Sequence, residues 1–148
     1  MGRKILIVLD GAHLNLKELP AIEHGDLNGE DEVLLLGVLL RREVVRVPSD
    51  IIPEAAQEES KMLEATKDLH LLAEDLRRDR GCAFTTHVVI GDPVVQAVAF
   101  ARQNKVDSIL VGMKEPGGLG RLFSKGMAQR IAAKTHIAVK ALEEPAQS

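Results

Sequence analysis

The chain predicts an α/β fold: a parallel sheet with helices on both faces. Short apolar runs recur along it, they are continuous and not alternating, and segments of helical periodicity separate them. Continuous aliphatic runs bounded by Asp, Gly and Pro are the mark of strands covered on both sides. Strand–helix alternation then calls for a parallel sheet closed by right-handed crossovers.

Five runs read as strands: Ile5–Leu9, Val33–Leu40 (VLLLGVLL), Thr86–Ile90 (THVVI), Ser108–Val111 and Ile137–Val139. Between the first two, a short or kinked helix is expected over Ala12–His24, because Pro20 interrupts it and Gly25, Asn28 and Gly29 follow. A long helix is expected over Pro53–Arg80. Met62, Ala65, Leu69, Leu72, Ala73 and Leu76 share one face, Glu58, Glu64, Lys67, Glu74 and Arg78 mark the wetter side, and Gly81 supplies the stop. Asp92-Pro93 reads as an N-cap with proline at the first helical position, opening a helix to about Asn104. Leu122, Met127 and Ile131 give the last helix, over Arg121–Lys134. The order is βαβαβαβαβ. In such sheets a ligand sits beyond the carboxyl ends of the strands, where the strand order reverses.

The 148 residues suit one domain, expected over residues 1–142, with a polar tail over 143–148. Hydrophobic residues at 45% and charged residues at 28% are the balance of a soluble globular protein. Nineteen Lys and Arg against 22 Asp and Glu give a net charge of -3, so no nucleic-acid partner is expected. With neither Trp nor Tyr, the platforms that stack single-stranded bases are missing too. The lone Cys82 excludes an internal disulfide and a thiolate metal set, and no apolar run approaches membrane length. A cytoplasmic location is expected.

The most informative stretch follows the fourth strand and runs into the last helix, Val111-Gly112-Met113-Lys114-Glu115-Pro116-Gly117-Gly118-Leu119-Gly120 and on to Ser124-Lys125-Gly126-Met127. Glycines such as Gly112 and Gly117 let N–H groups face an anion, and a helix N-terminus adds a favourable dipole. Lys114, Arg121 and Lys125 add positive charge. Two readings fit: a phosphate cradle, or a βα connection with a basic rim.

Other chemistry is thinly provided. His13, His24, His70, His87 and His136 form no HxH or HxxxH pair. His70 reads as a boundary residue of the long helix, and Cys82 as a buried structural thiol. Ser124 lacks a nucleophile-elbow context and reads as a cap of the last helix. Glu30-Asp31-Glu32 reads as a solvated charge cluster, and Arg41–Arg46 as a mixed-charge loop at the ligand-side edge. No metal site and no catalytic set emerges, and an enzyme is not expected.

Four segments in order resemble the universal stress protein (UspA-like) family: ILIVLDGAHLN, VLLLGVLL, VVIGDPVVQAVAFARQNKVDSILVG and GGLGRLFSKGMAQRIAAKTHIAV. The resemblance spans essentially the full chain. It implies a five-stranded parallel open sheet of order 3-2-1-4-5, a homodimer through the last strand, and ATP or AMP as ligand in many members. Carried over residue by residue, Asp10 falls in the adenine or ribose region, Val38 where backbone lines the adenine pocket, and Val111 and Gly112 at backbone contacts ending strand four. Each has a plainer reading, Asp10 as a turn or cap residue and Val38 as core strand.

Nucleotide-binding members carry G-x2-G-x9-G-[ST], and this chain departs from that pattern. Counting from Gly112, the second glycine position is Glu115, the third is Lys125, and the hydroxyl position is Gly126. With one inserted residue, Gly126 becomes the third glycine and Met127 takes the hydroxyl position. Glu115 sets a carboxylate near the expected phosphates, and a hydroxyl partner is lost. The resemblance therefore points to a small regulatory stress-response protein with a degenerate phosphate loop and no required cofactor. The alternative is an ATP- or AMP-binding member in which Lys114, Ser124 and Lys125 replace the lost groups.

Overall fold

The computed structural model describes residues 2–12, 14, 27–40, 52–113 and 124–142. Its elements are β1 (Lys4–Asp10), β2 (Glu32–Leu39), α1 (Glu54–Arg80), β3 (Ala83–Ile90), α2 (Pro93–Asn104), β4 (Ser108–Gly112), α3 (Ser124–Ala132) and β5 (Ala138–Ala141). The helix expected over Ala12–His24, the segment Arg41–Arg46 and the tail 143–148 lie outside the described residues.

The strands form one sheet of order β3-β2-β1-β4-β5 with every neighbouring pair parallel, as the resemblance implies. β1 is the central strand. Its alternate side chains enter two cores. Ile5, Ile7 and Leu9 pack with Leu69, Leu72 and Leu76 of α1 on one face. Leu6 and Val8 pack with Val94, Ala97 and Ala101 of α2 and with Met127 and Ile131 of α3 on the other. Burial on both faces is why this strand reads as an unbroken aliphatic run.

Local signals set the helix ends. Asp92 Oδ1 accepts the N–H groups of Val94 at 2.8 Å and Val95 at 3.1 Å, with Pro93 in the first turn of α2. Gly81 ends α1 in the left-handed region at φ 76°, and its N–H donates to the Arg77 carbonyl at 2.9 Å. α1 buries Ala65, Leu69, Leu72, Ala73 and Leu76, the face read from the sequence.

Several details depart from that reading. β3 begins at Ala83, ahead of its aliphatic part, and its first half alternates exposed and half-buried residues. It is an outer strand, which the helices cover only in part. His70 lies on the exposed side of α1, 3.9 Å from Glu74. Asp31 is not solvated: it is buried at the amino edge of the sheet beneath Arg3. There its carboxylate collects backbone and guanidinium donors. Nearby, Cys82 is buried and its Sγ donates to the Asn28 carbonyl at 2.9 Å. On the other side of β1, Asp107 Oδ2 accepts the N–H of Lys4 at 2.7 Å.

Candidate functional site

The carboxyl edge of the sheet gathers the residues singled out by sequence. Asp10 ends β1 opposite Val38 of β2, while Val8 and Leu9 face Val111 and Gly112 of β4. Strand alternation sends Asp10 to the same face as Leu6 and Val8. Val38, Val111 and Met127 belong to the core on that face, beneath α2 and α3. Three strands and α3 thus bring these positions to one corner of the molecule.

Backbone pairing shapes the corner. The Gly11 N–H donates to the Val38 carbonyl at 2.9 Å, Gly91 N–H to Leu39 at 3.0 Å, and Leu142 N–H to Val111 at 2.8 Å. Asp10 is buried, and its Oδ1 accepts the Ala12 N–H at 3.0 Å. This is the chain-turning role that an Asp at a βα junction takes. Gly11 sits close to its neighbours: a Cβ there would lie 3.0 Å from Leu39 Cγ and 3.2 Å from the Val38 carbonyl carbon, so these would have to give by a few tenths of an ångström.

The N–H groups at the start of α2 are held by Asp92, so they offer little to an anion. α3 begins at Ser124, with Lys125 and Gly126 exposed in its first turn. A Cβ at Gly126, a residue that aligns with a motif position, would meet none of the described residues within 4 Å. Lys114 and Gly117 lie outside the described residues, and so does the side chain of Ser124.

The opposite face of the same edge holds a cleft that sequence reasoning did not anticipate. It encloses about 240 Å³ between Gly11, Ala12 and Leu39 on one side and Lys61, Glu64, Ala65 and Asp68 of α1 on the other. Lys61 Nζ stands 3.5 Å from Glu64. The four α1 residues recur at i, i+3, i+4 and i+7, one helix stripe, with Ala65 leaving the room. That spacing was the available signal.

Among the described residues, no three His, Cys, Asp or Glu side chains converge to hold a metal ion. No described helix is long and apolar enough to cross a membrane. Burial pushes the Cys82 thiol up, the Asp31 carboxylate adds to this, and Arg80 opposes it. It stays protonated, which suits a structural thiol.

Known proteins share this architecture. Universal stress protein MJ0531 of Methanocaldococcus jannaschii is 26% identical over 147 residues, covering 97% of this chain and 83% of that protein. The crystal structure of hypothetical protein PH0823 superposes with a TM-score of 0.65 at 25% identity, over 100% of both chains. A universal stress protein family protein from Arabidopsis thaliana, solved with AMP bound, superposes with a TM-score of 0.56 at 13% identity, over 97% of this chain and 93% of that one. The model of the universal stress protein family matches residues 1–141. By its sequence and by the strand order that carries Asp10, Val38 and Val111 to one corner, the chain belongs to the universal stress protein family.

Proposed function

We propose that this chain is a non-catalytic regulatory member of its family that works in the cytoplasm as a homodimer joined at β5. The observation that carries the dimer is the outer edge of β5. The strand pairs with β4 on one side, and no strand of the described residues pairs with its other side. Ala138 and Lys140 are exposed, while Val139 and Ala141 rest on the core. Open, flat edges of this kind recruit another strand.

A substitution tests the edge. Leu142 N–H reaches Val111 across β4, so by alternation the N–H groups of Val139 and Ala141 face away from β4. Ala141→Pro removes an outward donor and spares the β4 ladder. Light scattering should give a dimer for the natural chain and a monomer for this variant. A natural chain that stays monomeric over a wide concentration range would sink the reading.

A second reading is favoured by one observation, the convergence of Asp10, Val38 and Val111 on one face, at the edge where α3 begins. In it, the corner takes an adenine nucleotide, ATP or AMP, with Lys114, Gly117, Ser124 and Lys125 serving the phosphates and Gly112 giving backbone contacts. The AMP bound by the Arabidopsis relative supports the ligand class. Calorimetry with ATP, AMP and cyclic AMP decides it: micromolar binding abolished by Lys125→Glu supports the nucleotide, and no heat for any of the three removes it. Sustained nucleotide turnover, lost on changing a loop residue, would overturn the non-catalytic part of the proposal.

A further inference from the structure

The net charge of -3 averages over two very different parts of the chain. Residues 93–142 hold eight lysines and arginines against two acidic residues, Asp107 and Glu115. The α1 sequence holds eight acidic residues against five basic ones. The fold converts this division along the chain into a division across the sheet, since α1 covers one face and α2 with α3 the other.

Both helices of the second face run toward the amino edge. α2 ends at Asn104, and three residues later the Asp107 N–H donates to the Lys4 carbonyl at the start of β1. α3 ends at Ala132, ahead of Ala138, which lies opposite Ser108 at the start of β4. Arg102, Lys105, Arg130 and Lys134 therefore collect at one end of one face, away from the carboxyl-edge corner. All four are exposed.

None of the four has a carboxylate partner among the described residues. The contrast is the end of α1, where Arg77 pairs with Glu74, Arg78 with Asp75, and Arg80 with Asp79. The helix dipole favours a cation in the last turn of any helix. It accounts for the arginines of all three helices and leaves unexplained why only α1 supplies counter-charges. Of the described residues within 93–142, Asp107 is the one acidic residue, and its Oδ2 already accepts the Lys4 N–H. Exposed Glu32, at the start of β2 on the face of Leu34 and Leu36, sits opposite Lys4 at the same edge.

The apolar side of the surface narrows the partner. Among the described residues, the exposed large hydrophobics are Ile52, Leu63, Leu71 and Val95. Of these four, Val95 belongs to this face, and it sits in the first turn of α2, at the opposite end. Protein hot spots sit in well-packed, desolvated pockets, and membrane-inserting surfaces need apolar anchors. Phosphate-backbone binding needs only cations. The acidic face stands roughly 20 Å away across the sheet and its helix layers. That is about two Debye lengths at 0.1 M salt, so it leaves this end positive.

We propose that the amino-edge end of the α2/α3 face, through Arg102, Lys105, Arg130 and Lys134, binds the phosphate backbone of a nucleic-acid duplex without reading its sequence. The cations sit at the ends of two packed helices, on a rigid support, and a duplex offers them a charge about every 1.7 Å of its axis.

Fluorescence anisotropy with the full chain and labelled duplexes of about 20 base pairs, DNA and RNA, tests this. Binding is expected at ~10⁻⁶–10⁻⁴ M near physiological salt, equal for unrelated sequences. Arg130→Gln with Lys134→Gln should flatten the slope of log affinity against log salt by about 2. Arg102→Gln with Lys105→Gln, on the other helix, should do the same, which keeps the test intact if the first pair fails to fold. Lys61→Gln with Lys67→Gln removes equal charge from α1 and should leave the slope unchanged. The proposal is overturned by no anisotropy change at low salt, by equal loss in the α1 pair, or by capture on phosphatidylserine vesicles with no duplex binding.

Discussion

Arg3 and Asp31 hold the amino edge of the sheet together from 28 residues apart. The Arg3 backbone N–H donates to Asp31 Oδ1 at 3.0 Å, and its guanidinium Nη2 to Oδ2 at 2.9 Å. The Asn28 N–H adds a third donor to Oδ2 at 2.8 Å. One carboxylate thus fixes the residue before β1, the turn before β2, and an arginine that covers both. Arg3 is partly exposed while Asp31 is not, so the acid is the member that depends on its partners.

Acid titration should expose this dependence. Burial by itself would raise the Asp31 pKa, but the Arg3 side chain, the Asn28 and Arg3 backbone donors and the Arg3 charge hold it below its ordinary 3.8. A carboxyl held lower in the native state adds stability that is fully present above the unfolded value. That stability fades as pH falls through the native one. Asp31→Asn should lose roughly 2 kcal/mol in urea unfolding at pH 7, the scale of charge-assisted hydrogen bonds. The variant should also show a shallower loss of stability below about pH 4 than the natural chain. Equal slopes for the two proteins would contradict the assignment.

Cys82 should resist modification in the native state. Its pKa is raised above the ordinary 9.0, chiefly by burial, so the thiol persists where a free cysteine begins to ionise. The sign is opposite to that of Asp31: the contribution to stability is complete below the unfolded value and lost as pH rises through the native one. Alkylation at pH 8 should be at least about 100-fold slower without denaturant than with it. Comparable rates would mean that the thiol is open to solvent.

Cap residues should respond by type. Asp92→Ala removes the acceptor for Val94 and Val95 and should cost about 1 kcal/mol in chemical denaturation. Gly81→Ala places a Cβ at φ 76° and should cost about the same. If either variant matches the natural chain, that helix end is held by something other than its cap.

Gly126 separates the two readings of the carboxyl-edge corner. It lies in the first turn of α3 with none of the described residues near its would-be Cβ. Gly126→Ala should therefore stabilise the chain by roughly 0.5–1 kcal/mol. If the corner takes a phosphate group, the methyl should also weaken nucleotide binding, measured by calorimetry. A stabilised variant with unchanged nucleotide affinity would move the phosphates elsewhere.

Much of the fold was legible because its signals are local. Asp92-Pro93 and Gly81 announce helix ends through their own backbone preferences, and Ile5–Leu9 declares burial on both faces by lacking polar alternation. Asp31 was misread for the converse reason. Flanked by Glu30 and Glu32, it has the local pattern of a solvated cluster, and only pairing β1 with β2 brings Arg3 to it. His70 was set at the boundary of α1 by a periodicity that does not resolve one residue of rotation. At the candidate site, Asp10, Val38, Val111 and Gly112 were legible through the family resemblance, and the strand register brings them to one edge. The cleft of Lys61, Glu64, Ala65 and Asp68 was missed because its far wall, Gly11 and Leu39, comes from distant sequence.

The central strand is made well before one of its two neighbours. β1 leaves the ribosome ahead of both β2 and β4, and β4 begins only at Ser108. Until that point is translated, one side of the strand that carries Ile5–Leu9 has nothing to bind. Truncated or stalled chains lacking β4 would present that ladder to any passing strand, so nascent chains of intermediate length are where aggregation and chaperone demand should peak.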